Sequence, residues 1–188
     1  MKTAKIVNNK KSKFFIIGVE SKMDEKEMKE NADFLIKELP GKKVPGKVRV
    51  RCRYNDLLKF AQVFGIDDSK YVGSEEDGIV ACKAFANHFT IKALYKLLLG
   101  MKLEQNGETR SFVLDPGKLL HAGQKYNWED CVDVRDGDKL TVTAEWGDVW
   151  VVEKNMILFA ELLVSVKNQD KKLVCKPTVR AALRPGGY

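Results

Sequence analysis

The stretch Leu-Thr-Val-Thr-Ala-Glu-Trp, residues 140–146, alternates apolar and polar side chains with a period of two. Successive side chains of a β-strand point to opposite faces of the sheet, so this stretch predicts a strand with one side in the core and one in water. Alternation of this kind is typical of antiparallel sheets, which often bury only one face. It indicates that the second half of the chain is built on an antiparallel sheet.

Two dipeptides and one longer segment of the same half predict turns. Asn106-Gly107 and Asp136-Gly137 each lie between apolar runs, and such pairs favour two-residue hairpin turns because both positions tolerate positive φ. The segment Trp146-Gly-Asp-Val-Trp150 is interpreted as a further turn. A turn at this place would bring its two tryptophans to the same side of the sheet.

The end of the chain contains a second pair of predicted strands. A long strand is expected at residues 156–166, and a turn at residues 168–170 leads into a strand at residues 172–179. A helix over residues 155–167 is the alternative, since apolar side chains also recur there at four-residue spacing. The pattern does not choose between these two structures.

Helix signals dominate the first half. Ser21 and Asp24 are candidate N-caps of a helix to about Leu39, because the apolar side chains that follow recur at spacings of three and four. Residues 65–78 are acidic and rich in turn formers, so they are expected to form an exposed loop. Three further helices are predicted, from Asn55 to Phe64, over residues 79–88, and from a Thr90 cap over residues 91–99.

These elements predict an α+β chain, with a helix-rich mixed N-terminal half followed by an antiparallel β-rich C-terminal half in the form of a small barrel or a sandwich-like sheet. Residues 1–13 are interpreted as a basic flexible arm, followed by a strand at residues 14–19. The mixed region covers residues 14–100 and the β region residues 101–188. Whether the two regions share one core is left open.

The stretch Lys-Val-Arg-Val-Arg-Cys-Arg-Tyr, residues 47–54, alternates cations with apolar residues. In a strand, Lys47, Arg49, Arg51 and Arg53 would share one face and the apolar side chains the other. Four like charges on one face repel each other. An anionic partner, or carboxylates from neighbouring strands, is therefore expected opposite them.

Charge is segregated along the chain, whose formal net charge is +7. Lys and Arg exceed Asp and Glu by eight in residues 1–60 and by five in residues 171–188, whereas residues 61–170 carry a net charge of −6. Positive segments of this kind attract phosphates or acidic protein surfaces. The predicted nucleic-acid-binding residues are Lys42, Lys43, Lys47, Arg49, Arg51, Arg53, Arg180 and Arg184.

Familiar catalytic and cofactor motifs are missing. The chain has two histidines, His88 and His121, no C-x-x-C or H-x-x-x-H pair, and neither of the glycine-rich phosphate-binding motifs. We therefore predict no metal site and no cofactor. His121 is the better functional candidate, but it needs a pocket where it meets an acid or Cys131. Adjacent acids such as Glu129-Asp130 are interpreted as solvent-facing.

Cysteine usage and hydropathy bear on the compartment. The four cysteines are scattered and no secretory apolar segment precedes them, which favours a reduced, cytoplasmic protein. The apolar run at residues 156–166 contains a glutamate and is shorter than the roughly 20 residues that span a bilayer. No membrane partner is expected.

The predicted function is non-enzymatic. We expect a nucleic-acid-binding or assembly protein, in the manner of a virion or coat-like structural subunit, that contacts phosphates through the basic strand and basic termini. The alternative is a protein-protein adaptor or a structural subunit of a homo- or hetero-oligomer that uses charge-segregated surfaces. An enzyme built from His121 and loop carboxylates is the third hypothesis. The first hypothesis predicts a homo-oligomer in the cytoplasm or in a virion-like particle.

Overall fold

The computed structural model describes residues 23–188, so the arm and the strand predicted at residues 1–19 lie outside the described part. Two short 3-10 helices, Lys83–Phe85 and Pro116–Lys118, precede the last helix and the fourth strand. The helices are α1 (Glu25–Glu38), α2 (Tyr54–Val63), α3 (Ser69–Val72) and α4 (Ala86–Leu99). The strands are β1 (Val48–Arg51), β2 (Lys102–Gln105), β3 (Glu108–Ser111), β4 (Leu119–Asn127), β5 (Lys139–Val152), β6 (Ile157–Lys167) and β7 (Leu173–Leu183).

Five strands form one antiparallel sheet in the order β1-β5-β6-β7-β4. The long strands β5, β6 and β7 follow one another in the chain and form its centre, while β1 and β4 are its two edges. Strands β2 and β3 form a separate hairpin. The predicted α+β class, with the helices early and an antiparallel sheet late in the chain, is confirmed.

Helix α1 begins where the sequence predicts. Oδ1 of Asp24 accepts a hydrogen bond of 2.7 Å from the N–H of Glu27, which satisfies one of the free donors of the first turn. Ala32 and Leu35 are buried, and the helix packs against β5. The local cap and the apolar spacing therefore both hold in the folded chain.

Helix α4 packs against β1 and β5 and buries a wide apolar stripe that includes Phe89, Ala93 and Leu97. The helix predicted over residues 91–99 is confirmed as the later part of α4. The start of the helix predicted over residues 79–88 and the cap at Thr90 are wrong, because residues 79–82 form no helix and α4 runs through Thr90. The Thr90 hydroxyl donates a 2.7 Å hydrogen bond to the carbonyl oxygen of Ala86. A threonine whose hydroxyl donates to a carbonyl of the preceding turn can lie inside a helix instead of capping one.

Strand β5 is continuous, so the turn predicted at residues 146–150 is wrong. Its pairing with β6 shifts between Trp146 and Val149, which inserts one extra residue as a β-bulge. Trp146 is buried in the core. Trp150 lies on the outer face, where its ring stacks on Phe159 with centroids 5.3 Å apart. The two tryptophans therefore do not share one side of the sheet.

Of the other turn and strand predictions, some are confirmed and some are wrong. Asn106 and Gly107 join β2 to β3 with φ angles of 55° and 82°, as a hairpin turn requires. Strands β6 and β7 confirm the two late strands, so the helix considered at residues 155–167 is wrong. Residues 131–134 form no strand before Asp136-Gly137. There the buried carboxylate of Asp138 accepts the Arg135 N–H at 2.8 Å and closes a local turn instead.

The alternating basic stretch forms a strand at Val48–Arg51, with Arg49 and Arg51 exposed and the two valines half-buried. Cys52 is buried, and helix α2 starts at Tyr54. The strand is shorter than the pattern, because the chain leaves the sheet edge to begin the helix.

Buried residues from both halves of the chain form one hydrophobic cluster around α4. Phe85 and Phe89 from the helical side meet Leu140 and Leu162 from the sheet in this cluster, and Tyr188 is also fully buried. Within residues 23–188, every helix is too short or too polar to cross a lipid bilayer.

Candidate active site

A groove lies between helix α4 and the edge strand β4. The pairing of β4 with β7 shifts between His121 and Gly123, so a bulge at Ala122 resets the alternation of side chains. As a result, His121 pairs with the buried Ala181 and Gln124 with the buried Val179, on the same inner face of the sheet. The helix-facing residues of β4 are Leu119, His121, Gln124 and Tyr126.

A hydrogen-bonded polar cluster follows the groove along α4 and β4, towards the start of the helix. The phenol of Tyr126 donates to Oδ1 of Asn87 at 2.8 Å, and the side-chain amide of Gln124 donates to the same oxygen. The Tyr126 hydroxyl also lies 3.2 Å from Oγ1 of Thr90. Side chains from the first turns of α4 and from the end of β4 are thereby joined. We call Asn87, Thr90, Gln124 and Tyr126 the polar cluster.

Two features of the polar cluster suit it to bind a polar substrate group. Burial raises the pKa of the Tyr126 phenol, so this group keeps its proton at neutral pH and remains a donor. Oε1 of Gln124 is buried and has no hydrogen-bond partner within the described residues. A buried acceptor of this kind costs free energy until a donor reaches it.

The rest of the groove is apolar. Helix α4 contributes Ile91, Leu94, Tyr95 and Leu98, which recur at helical spacing, and β4 contributes Leu119 and Leu120. His121 lines the same groove from the exposed edge of the sheet. An imidazole beside an apolar groove is a group that can act as a general acid or base.

A cavity of about 130 Å³ lies beside the polar cluster, near the start of α4 and the 3-10 helix that precedes it. Trp128 and Phe89 line it, with Lys83 and Cys131 among the polar groups. The Lys83 ammonium lies 5.5 Å from the centroid of the Trp128 ring. Trp128 also stacks on Tyr126, with centroids 5.4 Å apart. The polar cluster and the cavity therefore share an aromatic wall.

Within residues 23–188, His121 does not meet an acid or Cys131 as the third hypothesis requires. Cys131 lies in the cavity beside Lys83, whereas His121 lines the groove. Among the described residues, no carboxylate is hydrogen-bonded or ion-paired to His121. His88 is exposed and stacks on Phe85 at 5.1 Å, outside the groove.

The loop acids do not form a metal site in the part of the chain that the structure covers, where no group of three or more His, Cys, Asp or Glu side chains could hold an ion. Asp68 instead caps α3 through the N–H of Lys70 at 2.9 Å. Asp133 pairs with Lys70 at 3.6 Å. These carboxylates therefore stabilise turns and exposed pairs.

The predicted nucleic-acid-binding residues are spread over several elements of the fold. Arg49 and Arg51 are on the edge strand β1, whereas Arg180 lies on β7, separated from it by two strands. Arg180 is paired with Glu161 at 2.7 Å. Lys42 is paired with Glu38. The remaining predicted residues, Lys43, Lys47, Arg53 and Arg184, are exposed.

Sequence reasoning identified His121 but missed the polar cluster. Asn87, Thr90 and Ile91 fall on the same helical stripe as buried apolar residues. Two polar residues, Asn87 and Thr90, on such a stripe were the sequence signal that could have indicated the site. The sequence contains no comparable signal for Gln124 and Tyr126, because the bulge at Ala122 decides which face of the sheet they occupy.

Comparison with known proteins gives the family. The family described as "FAS1-like, dehydratase domain region" matches residues 39–177. That range includes helix α4 and strand β4, which flank the groove. Among curated proteins, none has a sequence that matches this chain significantly.

Solved structures with similar folds are distant in sequence. The MaoC-like dehydratase from Rhodospirillum rubrum is 17% identical, with a TM-score of 0.53 over 79% of this chain and 94% of that chain. The monoamine oxidase regulatory protein from Archaeoglobus fulgius is 14% identical, with a TM-score of 0.56 over 77% and 90%. A chain of the ChsH1-ChsH2 complex from Mycobacterium tuberculosis is 10% identical, with a TM-score of 0.51 over 78% and 99%. These likenesses show a hot-dog-like fold, in which an antiparallel sheet curls around one long helix.

The family match corrects the functional predictions. The prediction of a non-enzymatic nucleic-acid-binding, virion-like protein is wrong, because the matched family is one of dehydratase domains. The error came from treating the cationic strand as the site, whereas helix α4 and strand β4 form the groove. Since the match covers well over half of the chain, this protein belongs to the FAS1-like dehydratase domain family.

Proposed function

We propose that this chain acts as a hydratase or dehydratase, which removes water reversibly from a 3-hydroxyacyl thioester to give the 2-enoyl thioester. The observation that carries the proposal is the groove between α4 and β4 in a domain of a dehydratase family. This groove combines an apolar channel, the imidazole of His121 and the polar cluster. Elimination of water uses a proton carrier and hydrogen-bonding groups around the reacting atoms, and an apolar groove accommodates an acyl chain.

His121 is the proposed acid-base residue. Its neutral imidazole accepts the proton on the carbon next to the thioester carbonyl, and the released electron pair forms the new double bond as the C3–O bond breaks. The departing hydroxyl takes a proton from the imidazolium and leaves as water. The His121 imidazole thus takes up one proton and gives one proton back. The same steps in reverse add water to the enoyl thioester.

The polar cluster is proposed to bind the reacting part of the substrate. The thioester carbonyl oxygen gains negative charge as the proton leaves, and the phenol of Tyr126, which in this structure donates its proton to Asn87, is proposed to turn that hydrogen bond to the thioester oxygen when substrate binds. The unpartnered Oε1 of Gln124 is proposed to accept the hydrogen bond of the 3-hydroxyl. Ile91, Leu94 and Leu98 form the apolar part of the groove, which suits the acyl chain.

A second copy of the chain is proposed to cover the groove. Strand β4 is an edge of the sheet, and unpaired edges bind other strands readily. Leu120, exposed at this edge, gives it an apolar side chain. One of the similar folds comes from a complex of two chains. We propose a homodimer through β4 that works in the cytoplasm, where buried thiols such as Cys52 and Cys175 stay reduced.

The activity is tested by following the ultraviolet absorbance of enoyl thioesters of increasing chain length. We expect His121→Gln to lower kcat by about 100-fold or more, the range for loss of a general acid-base group. His88→Gln is the matched control and should keep wild-type kcat, because His88 is exposed outside the groove. Wild-type protein without activity on any chain length, or an active His121→Gln variant, would refute the proposal.

The assembly is tested by light scattering during size-exclusion chromatography. Leu120→Asp should give a monomer, since it places a charge at the proposed interface. Leu163→Asp is the control, because Leu163 is also exposed, at 46%, but lies on the central strand β6. Equal masses for both variants would exclude pairing through β4.

A further inference from the structure

A cationic surface lies at the β1 edge of the sheet, on the outer face. Arg51 pairs with Lys139, and Arg49 pairs with Thr141, whose partner on the next strand is Lys167. The four cations of this set are exposed. We call Arg49, Arg51, Lys139 and Lys167 the β1 cationic surface.

The described residues form no ion pair that neutralises this surface. Five ion pairs occur within residues 23–188, and none involves a member of the β1 cationic surface. Arg51 and Lys139 are opposite each other in the register, where like charges destabilise a sheet. A surface that keeps such a pair without a counter-ion is suited to an external anion.

Two carboxylates that flank β1 and β5, those of Asp136 and Asp138, accept hydrogen bonds from other groups. Oδ1 of Asp136 accepts the Tyr54 N–H at 2.6 Å. Asp138 is buried and accepts the Arg135 N–H at 2.8 Å and the Gln169 amide at 2.9 Å. Asp56 and Asp170 are exposed in the flanking segments and form none of the ion pairs found in the described chain.

The spacing of these cations indicates the shape of the partner. Alternate residues of a strand lie about 6.6 Å apart and neighbouring strands about 4.8 Å apart. Carboxylates at positions i and i+4 of a helix are about 5–6 Å apart, so a row of them fits such a grid of cations. Arg49 and Arg51 lie on the open face of a strand and not in a pocket. An open face can contact the surface of another protein, whereas a small ligand is usually enclosed in a cleft.

We propose that the β1 cationic surface docks an acidic helix of a partner protein. The partner is a separate protein, recognised by a row of Glu or Asp side chains on one helical face. This inference does not depend on the proposed dehydratase activity, because β1 and β4 are opposite edges of the sheet. Docking at β1 leaves the groove and the β4 edge free.

The experiment measures fluorescence anisotropy of two labelled peptides with the full chain. One is a helical peptide of about 20 residues with glutamates in a single row, long enough to be helical in water. The other has the same composition with its glutamates spread around the helix. The test variant is Arg49→Gln/Arg51→Gln/Lys139→Gln. The control, Lys29→Gln/Lys59→Gln/Lys154→Gln, loses the same charge from exposed positions elsewhere.

We expect the single-row peptide to bind more tightly than the spread one, and salt to weaken its binding. The test variant should lose about tenfold in affinity, the combined size expected for three exposed charge contacts. The control variant should stay within about twofold of wild type. Equal affinity for both peptides, or an equal loss in both variants, would overturn the proposal.

Vesicle binding and enzyme activity are measured on the same proteins. Tighter binding of vesicles that contain phosphatidylserine than of the single-row peptide would overturn the assignment to a protein partner. Hydration of a short enoyl thioester should be the same in the test variant and in wild type. An inactive wild-type chain that still binds the single-row peptide would refute the proposed function and leave the docking surface standing.

Discussion

The phenol of Tyr126 donates a 2.8 Å hydrogen bond to Oδ1 of Asn87, a residue 39 positions earlier in the chain. The bond ties the edge strand β4 to the first turn of helix α4. It also determines where the polar cluster lies relative to the groove. The geometry of the candidate active site therefore depends on contacts between two elements that are distant in sequence.

Tyr126→Phe is expected to lower the free energy of unfolding by about 1 kcal/mol, because it removes one partly buried hydrogen-bonded hydroxyl. Urea denaturation measures this change. Tyr95→Phe is the control, since Tyr95 also lines the groove and its hydroxyl makes no hydrogen bond among the described residues. Equal losses in the two variants would mean that the Tyr126 hydroxyl contributes no stability.

Tyr188 is expected to be a strong contributor to stability. Its side chain is fully buried and its hydroxyl donates a 2.9 Å hydrogen bond to the carbonyl oxygen of Met156. Tyr188→Ala should cost about 3–5 kcal/mol, as for other large aromatic deletions in a core. Tyr188→Phe should cost only about 1 kcal/mol. Thermal unfolding of the two variants compares the stability contributed by the ring with that contributed by the hydroxyl. Similar melting temperatures for the two variants would contradict the expectation that the ring contributes more.

Stability is expected to fall at alkaline pH because of two buried thiols. Burial raises the pKa of Cys52 and of Cys175 from 9.0 to about 12. The unfolded thiols lose their protons above pH 9.0, whereas the folded thiols keep theirs until about pH 12. The free energy of unfolding therefore falls as the pH rises through this window.

The check is urea denaturation at pH 8 and at about pH 10, for wild type and for Cys175→Ala. The variant should lose less stability between the two pH values, since one of the two titrating thiols is gone. Identical losses would show that the Cys175 thiol does not contribute to the alkaline destabilisation.

The ion pair between Arg180 and Glu161 is expected to contribute little. Its atoms are 2.7 Å apart, but the Arg180 side chain is 47% exposed, so solvent screens the attraction. Arg180→Gln should cost less than about 1 kcal/mol, including the contact of the guanidinium with the Trp150 ring. Arg184→Gln is the control, as Arg184 is exposed and forms no ion pair in the described part of the chain. A loss of several kcal/mol would contradict this expectation.

Several local features were predictable because their causes lie within a few residues. Asp24 caps α1 through its own side chain, and Asn106-Gly107 adopts the positive φ angles of a hairpin turn. Thr90 shows the limit of such reasoning. Its hydroxyl has two local uses, as a cap or as a donor to the preceding turn. The packing of α4 in the core decided for the second.

The site was predictable only in part. His121 was identified by its residue type, but its place on the groove depends on the bulge at Ala122. The same bulge places Gln124 on the inner face. A one-residue shift moves a strand's side chains to the other face, and nothing in the local pattern shows such a shift. The cationic strand was visible in the sequence, yet its pairing partner Lys139 was not.

The sequence by itself determined the buried and exposed faces of residues 140–146, the helix cap at Asp24 and the charged face of β1, because periodicity and capping act over a few neighbouring residues. Only the tertiary structure decided the strand order, which leaves β4 at an edge and brings Tyr126 to Asn87. Strand pairing joins residues far apart in the chain, and its free energy depends on packing of the whole core. The groove therefore exists only in the folded molecule, although each of its side chains is present in the sequence.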